Sequence, residues 1–132
     1  MTVEAAFLLV LLVVPLFYLV GTLSRVQAGA YAAVAAAREA GRAFVTAEDV
    51  ADAPGRGTVA SQLVLASHGF TEGEGGVTVA CQGECLAPGS SVLVEATVTV
   101  PLPLVPDFMA RAVPTTVTLT AQHVEGVDEF RE

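Results

Sequence analysis

The distribution of apolar residues divides the chain into an uncharged segment and a patterned remainder. No residue between Glu4 and Arg25 is charged, so residues 5–24 form an apolar run rich in Leu, Val and Phe. As a helix this run would be about 30 Å long, close to the thickness of the hydrocarbon core of a bilayer. It is longer than the apolar core of a signal peptide and no basic residue precedes it. We therefore interpret it as a membrane-spanning helix rather than a cleaved signal.

Helical character continues beyond the apolar run. Residues 25–52 lack proline and are dominated by Ala, the strongest helix former, so we predict one long helix reaching about Asp52. Pro15 lies inside this helix, and we expect a local bend there. Two rows of small residues at four-residue spacing run along it: Ala28, Ala32, Ala36 and Ala40, and beside them Gly29, Ala33, Ala37 and Gly41.

The small-residue rows have two explanations. High helix propensity alone would favour alanine, but Gly29 and Gly41 lower that propensity. Small side chains at this spacing also let helix backbones approach closely. We therefore predict that the two rows pack against other helices.

The second part of the chain changes pattern after a turn. Residues 52–57 contain Pro54 and two glycines, which are typical of a break between elements. A short helix is predicted from Thr58 to about His68, with Gly69 at its carboxyl-terminal cap.

Alternation of apolar and polar residues with a period of two then predicts three strands. They lie near residues 77–81, 92–102 and 116–122. The expected fold class is α+β: a long N-terminal hydrophobic α-helix (stalk, residues 1–53), followed by a small head (residues 54–132). The head would contain the short helix and a three-stranded antiparallel sheet.

Composition and charge exclude some classes of function. Charged residues make up only 15% of the chain, Lys is absent, and six Arg against fourteen acidic residues give a net charge of −8. Residues 1–53 carry −2 and residues 54–132 carry −6. Such an acidic chain is a poor ligand for phosphate backbones, which excludes nucleic acid as a partner.

Two cysteines offer the clearest candidate chemistry. Cys81 and Cys85 are the only ones, and the three residues between them include Gly83, which suits a tight disulfide-closed loop. Free thiols are an alternative, and a zinc site is another that would need two more ligands. The only histidines are His68 and His123, and no catalytic spacing is present. We therefore expect no enzyme activity, no metal and no cofactor.

Glu4 lies at the membrane end of the apolar run. A lone carboxylate in that position is costly unless it has a partner. It either rests in the headgroup region beside the N-terminus or pairs with a positive group on a neighbouring subunit.

Three segments together resemble a known family. They are Thr2-Val-Glu-Ala-Ala-Phe-Leu-Leu-Val10, leading into a Pro-containing apolar helix, then Val26-Gln-Ala28 and Ala36-Ala-Arg-Glu-Ala-Gly-Arg42. In these the chain resembles TadE-like pilins, the type IV pilin-like proteins of tight-adherence pilus systems. The resemblance is most specific over residues 2–42.

The resemblance implies two successive locations for the protein. Such proteins are inserted in the inner or plasma membrane as prepilins and cleaved by a prepilin peptidase. Assembly machinery then packs their helices, with copies of themselves or other pilins, into an extracellular filament for adhesion or surface attachment. The family's glutamate, matched by Glu4, would neutralise the N-terminal amine (here that of Met1) of an adjacent subunit during docking.

One departure concerns the start of the chain. The family's glutamate is usually the fifth mature residue, whereas Glu4 is the fourth residue here. We expect either an unusual mature start at Met1 or a start that has been trimmed or altered.

The sequence leaves two alternatives to a pilin function and excludes one class of pilin. The first rival is a single-pass membrane-anchored accessory protein with an extracytoplasmic head that binds a partner. The second is a membrane-anchored enzyme. Pilins that are linked covalently through a Lys amine are excluded, because the chain has no Lys.

Overall fold

The computed structural model describes residues 2–103 and 105–132. Two helices precede the sheet: α1 spans Val3–Val45 and α2 spans Ala53–Ser67. A single 3₁₀ turn at Glu72–Glu74 leads into three strands: β1 (Gly75–Gln82), β2 (Ser91–Pro101) and β3 (Thr116–Gly126). The predicted α+β fold class, with a long apolar helix, a short helix and a three-stranded antiparallel sheet, is confirmed.

The ends of α1 are set by hydrogen bonds. At the start, the side chain of Thr2 accepts a hydrogen bond from the Ala5 N–H, and Glu4 lies in the first turn, where a negative charge is favourable. At the end, the Thr46 hydroxyl donates to the carbonyl of Arg42 over 2.8 Å.

The predicted continuation of α1 to Asp52 is wrong. The guanidinium of Arg131 donates to the carbonyls of Val45, Ala47 and Glu48, so the last residues of the chain satisfy carbonyls that further helical turns would have used. The segment after Val45 is also acidic, and negative charge at a helix carboxyl terminus is unfavourable.

The predicted start of α2 at Thr58 is wrong as well. The helix begins five residues earlier because Pro54 occupies its first turn, where the missing N–H costs nothing. Its end follows the prediction. Gly69 has a φ of +83°, its N–H donates to the Ala66 carbonyl, and the Phe70 N–H donates to the Leu65 carbonyl. This is the paired hydrogen bonding of a Schellman cap.

The sheet has β2 at its centre, antiparallel to both neighbours. Val79 pairs with Val94, and Val98 pairs with Leu119. Alternate residues of β2 are completely buried, whereas the polar residues of β3 on the opposite face are exposed. One face of the sheet is therefore apolar and covered, as the period of two predicts.

A disulfide closes the turn after β1. The sulfur atoms of Cys81 and Cys85 lie at bonding distance and their Cα atoms are 5.3 Å apart. Gly83, between them, adopts a φ of +96°, a conformation that favours glycine. Of the three alternatives for these cysteines, the structure contains the disulfide.

The covered face of the sheet packs on the second half of α1. This side of α1 carries the eight small residues of the two rows. Ala28 is half-buried, and the other seven are buried: Gly29, Ala32, Ala33, Ala36, Ala37, Ala40 and Gly41. A Cβ atom on Gly29 would overlap Cγ2 of Val100, and one on Gly41 would lie 3.2 Å from Cγ2 of Val94.

The rows thus pack within the chain. We predicted other helices as their partners, and α2 of the same chain is one partner, but the sheet covers the rows as well. Gly57 of α2 approaches so closely that a Cβ atom there would lie 3.3 Å from the Ala40 carbonyl oxygen. The small side chains permit this close approach, but the surface that approaches α1 is mainly the sheet. The rows therefore do not indicate contact between copies of the chain.

We predict that Gly29→Ala destabilises the head although alanine is the better helix former. Overpacking against Val100 costs about 1–3 kcal/mol, which outweighs a propensity gain of up to about 1 kcal/mol. Gly55→Ala is the matched control, since a Cβ atom on that α2 glycine meets nothing within 4 Å. Urea unfolding of the full chain in detergent measures the free energy of unfolding of both variants. Equal values for Gly29→Ala and Gly55→Ala would contradict the close packing at Gly29.

Candidate functional site

The first half of α1 projects from the head as an uncovered apolar rod. Every residue from Val3 to Val20 is exposed except Val13, which is half-buried. None of the most apolar eighteen-residue window is buried within the chain, and the helix is long and apolar enough to cross a membrane. Soluble monomers rarely expose a continuous apolar surface of this extent, so lipid or other protein has to cover it.

Glu4 lies at the free end of this rod. Its side chain is exposed and shares the first helical turn with the Thr2 cap. Among residues 2–103 and 105–132, the carboxylate that lies within salt-bridge distance of a basic side chain is Glu125, beside a ring nitrogen of His123 on β3 and far along the chain from Glu4. Met1, the other residue predicted for docking, lies outside the described residues. The pairing of Glu4 with an N-terminal amine stays a prediction.

Pro15 lies in the middle of the rod. The helix is continuous through it, and its ring nitrogen has no hydrogen to donate to the carbonyl of Leu11. Because Pro15 is exposed, that carbonyl is available to a neighbouring donor or to a local rearrangement of the helix. The predicted bend at this residue stays a prediction.

Arg25 marks the point where the rod meets the head. Its guanidinium carbon lies 4.8 Å from the centroid of the Phe70 ring, within the range of a cation–π interaction. Phe70 is itself buried in the core of the head. The first charged residue after the apolar run is therefore fixed to the head rather than free in solvent.

Sequence reasoning missed a second apolar element beside the rod. The loop between β2 and β3 approaches Tyr18, and the two line a common cavity of about 260 Å³. Its signal in the sequence is a run of apolar residues and prolines, Val105-Pro-Asp-Phe-Met-Ala-Arg-Ala-Val-Pro114. Nothing in that run indicates that it lies against α1.

The remaining chemistry-bearing side chains are dispersed over the head. One ring nitrogen of His68 lies 2.9 Å from the Val64 carbonyl at the end of α2, while His123 is 2.8 Å from Glu125. Among the described residues, no three His, Cys, Asp or Glu side chains are close enough to hold a metal ion.

Comparison of the chain with models of protein families, with curated proteins and with solved structures gives no match. The functional conclusion therefore depends on the geometry of the chain and on its sequence.

We predict that Leu12→Arg prevents membrane insertion without unfolding the head. Arg at the centre of a spanning helix costs about 3 kcal/mol, and Leu12, 73% exposed, contributes nothing to the core. Leu63→Arg on α2, where the leucine is 69% exposed, is the control and should insert normally. Flotation with membrane vesicles measures insertion and urea unfolding in detergent measures the head. Normal flotation of Leu12→Arg would contradict a spanning role for this segment.

Proposed function

We propose that this chain is a structural subunit of a type IV-like tight-adherence (Tad) pilus. In this proposal the first half of α1 spans the plasma or inner membrane before assembly. It then packs against the same segment of other copies, or of other pilins, in the core of an extracellular filament for adhesion or surface attachment. Prepilin peptidase and the pilus assembly machinery are the partners that the proposal implies.

The observation that carries the proposal is the division of one continuous helix into two environments. Residues 3–20 are uncovered and apolar, whereas residues 29–44 form part of the core of the head. A filament subunit needs this arrangement, because force on the helix has to reach the head without a hinge. A membrane anchor alone needs no rigid continuation of that kind.

The sequence resemblance to TadE-like pilins supports the same proposal. It rests on Glu4, on the Pro-containing apolar run and on the segments around residues 26–28 and 36–42. The small-residue rows no longer contribute, since the chain covers them itself. Polymerisation therefore has to use the rod and the outer side of the second half of α1, where Tyr31 and Val34 are exposed.

The alternative proposal is a single-pass membrane-anchored accessory protein that does not polymerise. It is favoured by an apolar cavity of about 630 Å³ on the head, beside α2. Val59 and Leu63 line this cavity and are exposed there. A partner protein would use such a surface, whereas a filament core would not.

We predict that Glu4→Ala strongly reduces incorporation of the chain into filaments while the head stays folded. A partner charge in the low dielectric of a filament core would fix the register of docking, and loss of about 1.4 kcal/mol corresponds to a tenfold loss in incorporation. Glu84→Ala, which removes an exposed carboxylate of the head outside α1, is the matched control.

The amount of each variant in filaments sheared from cells, relative to the amount in membranes, is the measurement. Urea unfolding in detergent checks that the head is intact. Incorporation of Glu4→Ala at the level of Glu84→Ala would contradict the docking role, and an accessory protein would show no filament fraction for either variant.

A further inference from the structure

The loop between β2 and β3 is an ordered element. Its base is closed by a hydrogen bond from the Leu102 N–H to the Thr115 carbonyl over 2.8 Å. Within it, the Met109 N–H donates to the Pro106 carbonyl and the N–H groups of Ala112 and Val113 both donate to the Met109 carbonyl. We call residues 105–113 the foot. Its overlapping turns satisfy several of its backbone polar groups internally, which lowers the cost of placing the loop near an apolar environment.

The foot is apolar in composition and exposed. Its side chains are hydrophobic or proline except for Asp107 and Arg111, whose charges cancel. Phe108 is 84% exposed, and Met109 and Val113 are exposed as well. A large aromatic ring that contacts so little of its own chain is available to a partner.

The foot lies beside the rod, at the level of Tyr18. The cavity between foot and rod is lined by Tyr18, Val105, Pro106, Met109 and Val113. Tyr18 is two residues before Val20, where the uncovered rod ends, which places it about 3 Å from the head end of the rod along the helix axis. At 37% exposure it is the least exposed of the large apolar side chains that remain exposed on the rod, in keeping with cover from the foot.

We propose that the foot is a membrane-interface element that inserts Phe108 and Met109 between lipid headgroups on the side of the head. The inference rests on the proposed membrane-spanning role of the rod. If the uncovered residues 3–20, about 27 Å of helix, fill the hydrocarbon core, a loop at the level of Tyr18 lies at or just below the headgroups and cannot remain in water.

The side chains of the foot and its neighbour suit that depth. Tyr is enriched at membrane interfaces, and Arg111 can extend its guanidinium toward the phosphates while its stem stays among apolar groups. Because the foot has no net charge, apolar contact rather than attraction to anionic lipid would hold it. The foot would thus fix the height and tilt of the head above the bilayer before assembly.

Tryptophan reporters test this directly, because the natural chain contains no Trp. The Phe108→Trp variant of the full chain is reconstituted in phosphatidylcholine vesicles. Phe130→Trp is the matched control: Phe130 is 89% exposed and adjoins Arg131, which binds carbonyls at the far end of α1. Urea unfolding in detergent checks both variants, and Met109→Trp is a second reporter if Phe108→Trp fails to fold.

The expected result is a shift of the tryptophan emission of the Phe108→Trp variant to shorter wavelength in vesicles. Lipids brominated near the headgroup end of their chains should quench this emission several-fold more than they quench that of the Phe130→Trp control. Addition of anionic lipid should leave the shift unchanged, since the foot is neutral.

Three results would overturn the inference. First, the chain floats with vesicles, but the Phe108→Trp and Phe130→Trp variants show the same emission and the same bromine quenching. The chain then spans the membrane without inserting the foot. An emission shift of Phe108→Trp that grows with the protein-to-lipid ratio, without bromine quenching, places the foot against a second copy. A chain that does not float at all removes the spanning role of the rod and the foot's role with it.

Discussion

The contact between the valine face of the sheet and the small-residue side of α1 determines the rest of this structure. Val100 reaches the helix where a Cβ atom on Gly29 would overlap it, and Val94 would lie only 3.2 Å from a Cβ atom on Gly41. Because the second half of α1 is thereby enclosed, the head cannot slide along or detach from the helix without exposing its core. The first half, part of the same continuous helix, extends beyond the head and is largely exposed.

That constraint separates two kinds of surface on one small chain. The head holds most of the negative charge and folds around its own part of α1, whereas the rod is uncharged between Glu4 and Arg25. Arg25 on Phe70 fixes the boundary between them. The rod is an apolar surface that the head leaves largely exposed.

The sequence predicted most of the fold because its signals were local. The uncharged run, the alternation in β2 and the cap at Gly69 depend on neighbours in the chain and were identified correctly. The end of α1 was missed because Arg131 satisfies its carbonyls from 86 residues away. The spacing of small residues indicates how closely a partner approaches but not which partner, so the rows were assigned to other helices. The foot was missed because its approach to Tyr18 arises only in the folded chain.

Electron cryomicroscopy of filaments sheared from cells that express the chain tests the central claim most directly. The proposed function predicts that residues 3–23 of many copies bundle at the filament axis, while residues 29–44 stay under the sheet of their own head and the heads form the outer surface. The contrary result is a protein that stays monomeric in the membrane, with no filament containing it, or a filament in which the rod faces solvent.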